Sequence, residues 1–136
     1  MEVLELPDEP EPGSPALYDA VLKKEAARVL RAMEGFDHTV ALCVEGKAPD
    51  SPAFSQILAG CEGIGRSLCF VIGGSLGLAG EVKARAGECI SLSRLTFPHR
   101  LARICLLYTS VLCQDGQSTI ARPRKYAHAR AVGIFY

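Results

Sequence analysis

The sequence holds six cysteines, at 43, 61, 69, 89, 105 and 113, but no Cys-x-x-Cys pair. Zinc ribbons, zinc fingers and thioredoxin-type centres need that spacing, so those classes are excluded. The three histidines, His38, His99 and His128, form no pair at metal-ligand spacing, and no metal is expected. No apolar run approaches the ~20 residues that span a bilayer, so no membrane is expected as a partner. The opening MEVLELPDEPEPG has neither the basic start nor the apolar core of a secretory signal. A cytoplasmic location is the expectation, with the cysteines reduced and packed as small core side chains. Net charge is zero, so the whole chain is no obvious polyanion binder.

What is present suits a single folded domain. The chain has 136 residues, and 49% apolar content is enough for a core. EVLEL alternates acidic and apolar residues, the sign of a half-buried strand. Residues 7–15 carry four of the eight prolines and read as an extended loop. Ser14-Pro15 and Ser51-Pro52 each read as a helix cap followed by proline at the first helical position. Thr39 to Val44 and Ser67 to Ile72 are continuous apolar runs, which suit strands covered on both faces. EGKAPD ends the first run. A short basic helix is expected around Glu81 to Ala86, a strand at ECISL, and a last helix opening at Pro98. Strands and helices therefore alternate, which predicts an α/β domain with a mainly parallel sheet and helices on both faces.

In such sheets ligands sit at the carboxyl ends of strands. Three loops leave those ends: Glu45–Pro49, Gly73–Gly80 and Ser93–Phe97. In VIGGSLGLAG, glycines permit close backbone approach, and the amides suit an anion or a polar ligand edge. A plain tight turn explains the same residues equally well. The spacing does not match GxGxxG, which disfavours a dinucleotide-dependent enzyme. Gly46-Lys47 is no phosphate loop, because Ala48 stands where Ser or Thr is required. Arg94, Arg100 and Arg103 gather around one loop and helix start, where solvent or phosphate are both suitable neighbours.

FVIGGSLGL, followed by ISLSRLTFPHRLAR, resembles the RlmH family of SPOUT-class methyltransferases. LELPDE, KKEAARVL and LCVEGKAPDS fit the same pattern in order, so the likeness runs from about Val3 to Leu107. The resemblance implies a SPOUT-type fold with a C-terminal trefoil knot and a homodimer. It implies methyl transfer from S-adenosylmethionine to N3 of a pseudouridine in 23S ribosomal RNA. By motif position, cofactor contacts would come from Leu42, Gly73, Leu92, Ser93, Arg94, Leu95, Thr96 and Phe97. No nucleophilic side chain is needed for such a transfer, and no catalytic residue is assigned. His99 is a candidate proton acceptor.

The pattern is departed from at both ends. The family's first strand and helix have no counterpart before Met1, which would leave part of the sheet uncovered. After Leu107 the family's Glu-Gln-x-Tyr-Arg-Ala is replaced, and QDGQST and ARPRKY are not expected to continue the helix. The division is a methyltransferase-like domain at 1–107 and an atypical tail at 108–136, read as frameshifted or chimeric. A non-catalytic α/β binding or dimerisation module that keeps the cofactor loops is the alternative reading.

Overall fold

The computed structural model describes residues 2–7, 13–62, 65–74, 76–95, 98–115 and 131–135. In chain order the elements are β1 (Glu2–Glu5), a 3-10 turn (Pro15–Leu17), α1 (Tyr18–Met33), β2 (His38–Lys47) and α2 (Ser51–Glu62). Then come β3 (Leu68–Ile72), α3 (Gly80–Arg85), β4 (Glu88–Ile90), α4 (His99–Asp115) and β5 (Ala131–Phe135). The five strands form one sheet in the order β1-β5-β3-β2-β4, and every pair is parallel.

Strand side chains alternate between faces, and β3 shows why its run is wholly apolar. Cys69 and Val71 meet Ala26, Val29 and Met33 of α1 and Val82 of α3 on one face. Leu68, Phe70 and Ile72 meet Phe54, Leu58 and Cys61 of α2 and Leu106 of α4 on the other. All five β3 residues are buried. Phe70 stacks on Phe54 with ring centroids 5.8 Å apart. Burying a side chain of that size contributes about 1.5–3 kcal/mol. The expected α/β class, parallel sheet and two helical layers are all present. Five cysteines among the described residues are free thiols, two of them buried.

Several local expectations are corrected. β2 does not stop at EGKAPD but continues to Lys47 through a register shift after Leu42. The extension is held by the Ser91 N–H donating to the Lys47 carbonyl at 2.7 Å. Gly46 permits it, since a Cβ there would lie 2.6 Å from the Ile90 carbonyl carbon. The start of α2 is capped by Asp50 rather than Ser51: Ala53 N–H donates to Asp50 Oδ1 at 2.8 Å. Ser14 makes no side-chain cap; its carbonyl accepts from Leu17 N–H.

The C-terminal region departs most from expectation. α4 continues through Gln114 to Asp115, so the helix outlasts the family pattern by eight residues. Its interior satisfies the hydroxyls itself: Ser110 Oγ donates to the Leu106 carbonyl at 2.7 Å. β5, inside the stretch read as an atypical tail, lies between β1 and β3 and pairs with both. Pairing on both sides makes it an interior strand of the sheet. Periodicity in AVGIF is too short to announce a strand, and its partners are distant in sequence. Residues 96–97 and 116–130, on which the expected knot depends, lie outside the described residues. No helix among the described residues is long and apolar enough to cross a membrane.

Candidate functional site

A cavity of about 530 Å³ opens at the carboxyl ends of β2, β3 and β4. That volume is in the range of small-molecule sites. Its walls come from the three places expected to carry a ligand. β2 supplies Leu42, Cys43, Val44 and Glu45; the glycine loop supplies Gly73, Gly74, Gly77 and Leu78. The loop after β4 adds Ser91, Leu92, Ser93 and Leu95. Sheet register brings them together, because Leu42 pairs with Ile72 on one side and Ile90 on the other.

The glycine loop is a tight turn and a cavity wall at once. Gly77 has φ of 75°, a conformation open to glycine at little cost. Its N–H donates to the Gly74 carbonyl at 3.1 Å. A Cβ on Gly73 would lie 2.6 Å from the Gly77 carbonyl carbon. Glycine at 73 is therefore required by the loop's own closure, independently of any ligand.

The loop after β4 is fixed by two serines. Buried Ser91 Oγ donates to the Ser93 carbonyl at 2.6 Å. Ser93 Oγ accepts from Leu95 N–H at 3.1 Å, a local turn of the kind hydroxyl side chains favour. This holds Leu95, 70% exposed, against the cavity opening.

Of the sequence-predicted contacts, Leu42, Gly73, Leu92, Ser93 and Leu95 line the cavity. Arg94 is exposed and does not line it. Thr96, Phe97 and the side chain of His99 lie outside the described residues. The arginine group does not converge on the cavity either: Arg103 pairs with Glu5, tying α4 to β1, and Arg100 is exposed. Lys83 was missed because it arrives from α3, which carries no motif, and Ala102 was missed although it lies within ISLSRLTFPHRLAR at the start of α4.

Electrostatics argue against a nucleophile among the described residues. Burial, helped by a hydrogen bond with Cys89, pushes the Cys43 thiol up to about 11. Burial alone pushes Cys69 up to about 12. Both are protonated thiols at neutral pH, and thiols react as thiolates. The one charged pair lining the cavity among the described residues is Glu45 with Lys83. A hydrogen bond from the Lys83 ammonium holds the Glu45 carboxyl below its ordinary range. No group of three or more potential metal ligands occurs among the described residues. The arrangement can enclose a mainly apolar molecule and align it, and its described lining offers no thiolate nucleophile.

Comparison with known proteins agrees with this geometry. The family model described as "Predicted SPOUT methyltransferase" matches residues 1–109, and the chain belongs to that class. A ribosomal RNA large subunit methyltransferase H 2 from Caldanaerobacter subterraneus is 41% identical over 108 residues, covering 79% of this chain and 73% of that protein. A ribosomal RNA large subunit methyltransferase H from Streptococcus uberis is 40% identical over 121 residues, covering 85% and 76%. The Bacillus cytotoxicus protein of that name is 44% identical over 110 residues, covering 79% and 69%. Within the SPOUT class, the chain is a member of the RlmH family.

Proposed function

We propose that this chain methylates N3 of a pseudouridine in 23S ribosomal RNA, with S-adenosylmethionine as donor. The observation that carries the reading is the convergence of Leu42, Gly73, Leu92, Ser93 and Leu95 on one cavity. They are five of the eight positions that resemblance to the family assigns to the cofactor. The lining fits the group: apolar side chains for a nucleoside, glycine and serine backbone for its polar edges, and a charged pair at the rim. Arg94, Thr96 and Phe97 remain part of the proposed contact loop.

S-adenosylmethionine, when bound, supplies a sulfonium methyl group that leaves in an in-line displacement. The protein's task is alignment, which contributes ~7–11 kcal/mol where two reactants are well oriented. Here that task falls to Leu42 and Leu92 as walls and to the closed Gly73–Gly77 turn as a rigid floor. His99, at the start of α4, is the proposed acceptor of the imino proton.

A homodimer is part of the proposal. α4 turns Leu101, Ile104 (61% exposed) and Tyr108 (64% exposed) outward on one face. Leu95 is exposed beside the start of the same helix. Such a stripe is costly to leave in water and suits a second copy.

The test is calorimetric titration of the whole chain with S-adenosylmethionine, followed by transfer of labelled methyl to ribosomes. Saturable binding and labelled 23S RNA are expected. A folded chain with no affinity for the donor would remove the reading in favour of a non-catalytic binding or dimerisation module.

A further inference from the structure

Among the described residues, the charged members of the cavity lining are Glu45 on β2 and Lys83 on α3, which meet in an ion pair. Glu45 is 63% exposed and Lys83 30%, so the pair stands at the mouth, not the floor. An enclosed nucleoside does not need it. Neither does the fold: α3 is already held by Val82, which is buried among Ala41, Val71 and Met33. Lys83 donates to Glu45, which also accepts from its own backbone N–H. An ammonium has three donors and Glu45 occupies one; a carboxylate has about four acceptor positions. Two opposite charges are thus presented side by side with hydrogen-bonding capacity left over.

We propose that Glu45 and Lys83 dock the amino-acid end of the methyl donor, Lys83 receiving its α-carboxylate and Glu45 its α-ammonium. The assignment rests on the S-adenosylmethionine reading above. A zwitterion laid against an existing ion pair places each charge beside its opposite without breaking the pair. Because β2 and α3 hold both partners before binding, little orientation remains to be lost on association. The hydrogen bond from Lys83 lowers the Glu45 pKa and so favours its anionic form.

The test compares two ligands that share nucleoside and uncharged sulfur. S-adenosylhomocysteine carries the amino-acid end; 5′-methylthioadenosine lacks it. Calorimetry is run on the full chain, on Lys83→Met, which keeps an apolar stem, and on Glu45→Gln, with circular dichroism to verify folding. S-adenosylhomocysteine affinity is expected to fall about three- to tenfold in each variant, a range set by partly exposed charge-assisted contacts. Methylthioadenosine affinity should stay within about twofold of the parent. Equal losses for both ligands would assign the pair to shaping the cavity and overturn the proposal. Unchanged S-adenosylhomocysteine affinity would overturn it too. If neither nucleoside nor S-adenosylmethionine binds the parent chain, it is the cofactor reading that fails.

Discussion

The sheet has two unlike halves that meet along β3. On one side β3, β2 and β4 are close in sequence, fall inside the family match and carry the cavity. On the other, β1 and β5 come from opposite ends of the chain, with Glu2 opposite Val132. β5 lies beyond residue 109, where the family match stops. Binding chemistry is concentrated in the half made from neighbouring segments. The other half completes the hydrogen bonding of β3 and covers its open edge.

The largest effect should come from removing what the halves share. Phe70→Ala empties a fully buried site on β3 and should cost about 3–5 kcal/mol in denaturant unfolding. Both halves should unfold together. A loss below about 1 kcal/mol would mean that β3 is not the common centre.

Breaking the ladder of the distal half is the next test. Ile134→Pro removes a backbone donor from a strand paired on both sides, at roughly 3 kcal/mol. Hydrogen exchange should then accelerate at Leu4 and Glu5 while Val71 keeps its protection. Equal acceleration at all three would erase the distinction between the halves.

Gly73→Val tests the near half alone. The new Cβ meets the loop's own backbone, so the wall must open. S-adenosylmethionine affinity should drop, and methyl transfer should slow by about 100-fold, the scale expected when aligned reactants are displaced by about 1 Å. Unchanged affinity in calorimetry would place the ligand elsewhere.

The smallest effect concerns the strand starts. Asp37 Oδ2 accepts from both the N–H and the hydroxyl of Ser67 at 2.8 Å, joining the beginnings of β2 and β3. The backbone hydrogen bond from Ser67, then its hydroxyl, lowers the Asp37 pKa. A depressed folded-state value gives stability that is present above the unfolded carboxylate value of about 3.9. That contribution is lost as pH falls through the lower folded value. Asp37→Asn should therefore lower Tm slightly near neutrality and flatten its fall below about pH 4, so that the two proteins converge in acid. An identical acid slope in both proteins would rule this link out.

The near half was legible because local pattern and tertiary position coincide there. A strand apolar throughout must be covered twice, as β3 is, and its loop must emerge at the ligand-binding edge. Leu42, Gly73, Leu92, Ser93 and Leu95 were named by resemblance to the family motifs, and strand order put their loops at one edge. Lys83 was not, because a lysine on a short helix reads as solvated until packing brings it to Glu45. β5 was missed for another reason: its identity as a strand depends on β1 and β3, not on AVGIF itself. The continuation of β2 through Gly46 was hidden because a glycine usually marks a break, whereas here it admits Ile90.

Gly46 and Gly73 also decide how this molecule could change its ligand. At both, main chain lies against main chain too closely for any side chain, one beside β4 and one within the loop. The two glycines therefore fix backbone contacts in the cavity's frame, while Leu42, Val44, Leu92 and Leu95 contribute side chains to its lining. A library that randomises those four while holding both glycines should retain the pocket's outline and vary only its chemistry. Diversity in ligand choice is then accessible by side-chain drift alone, with no redesign of the backbone.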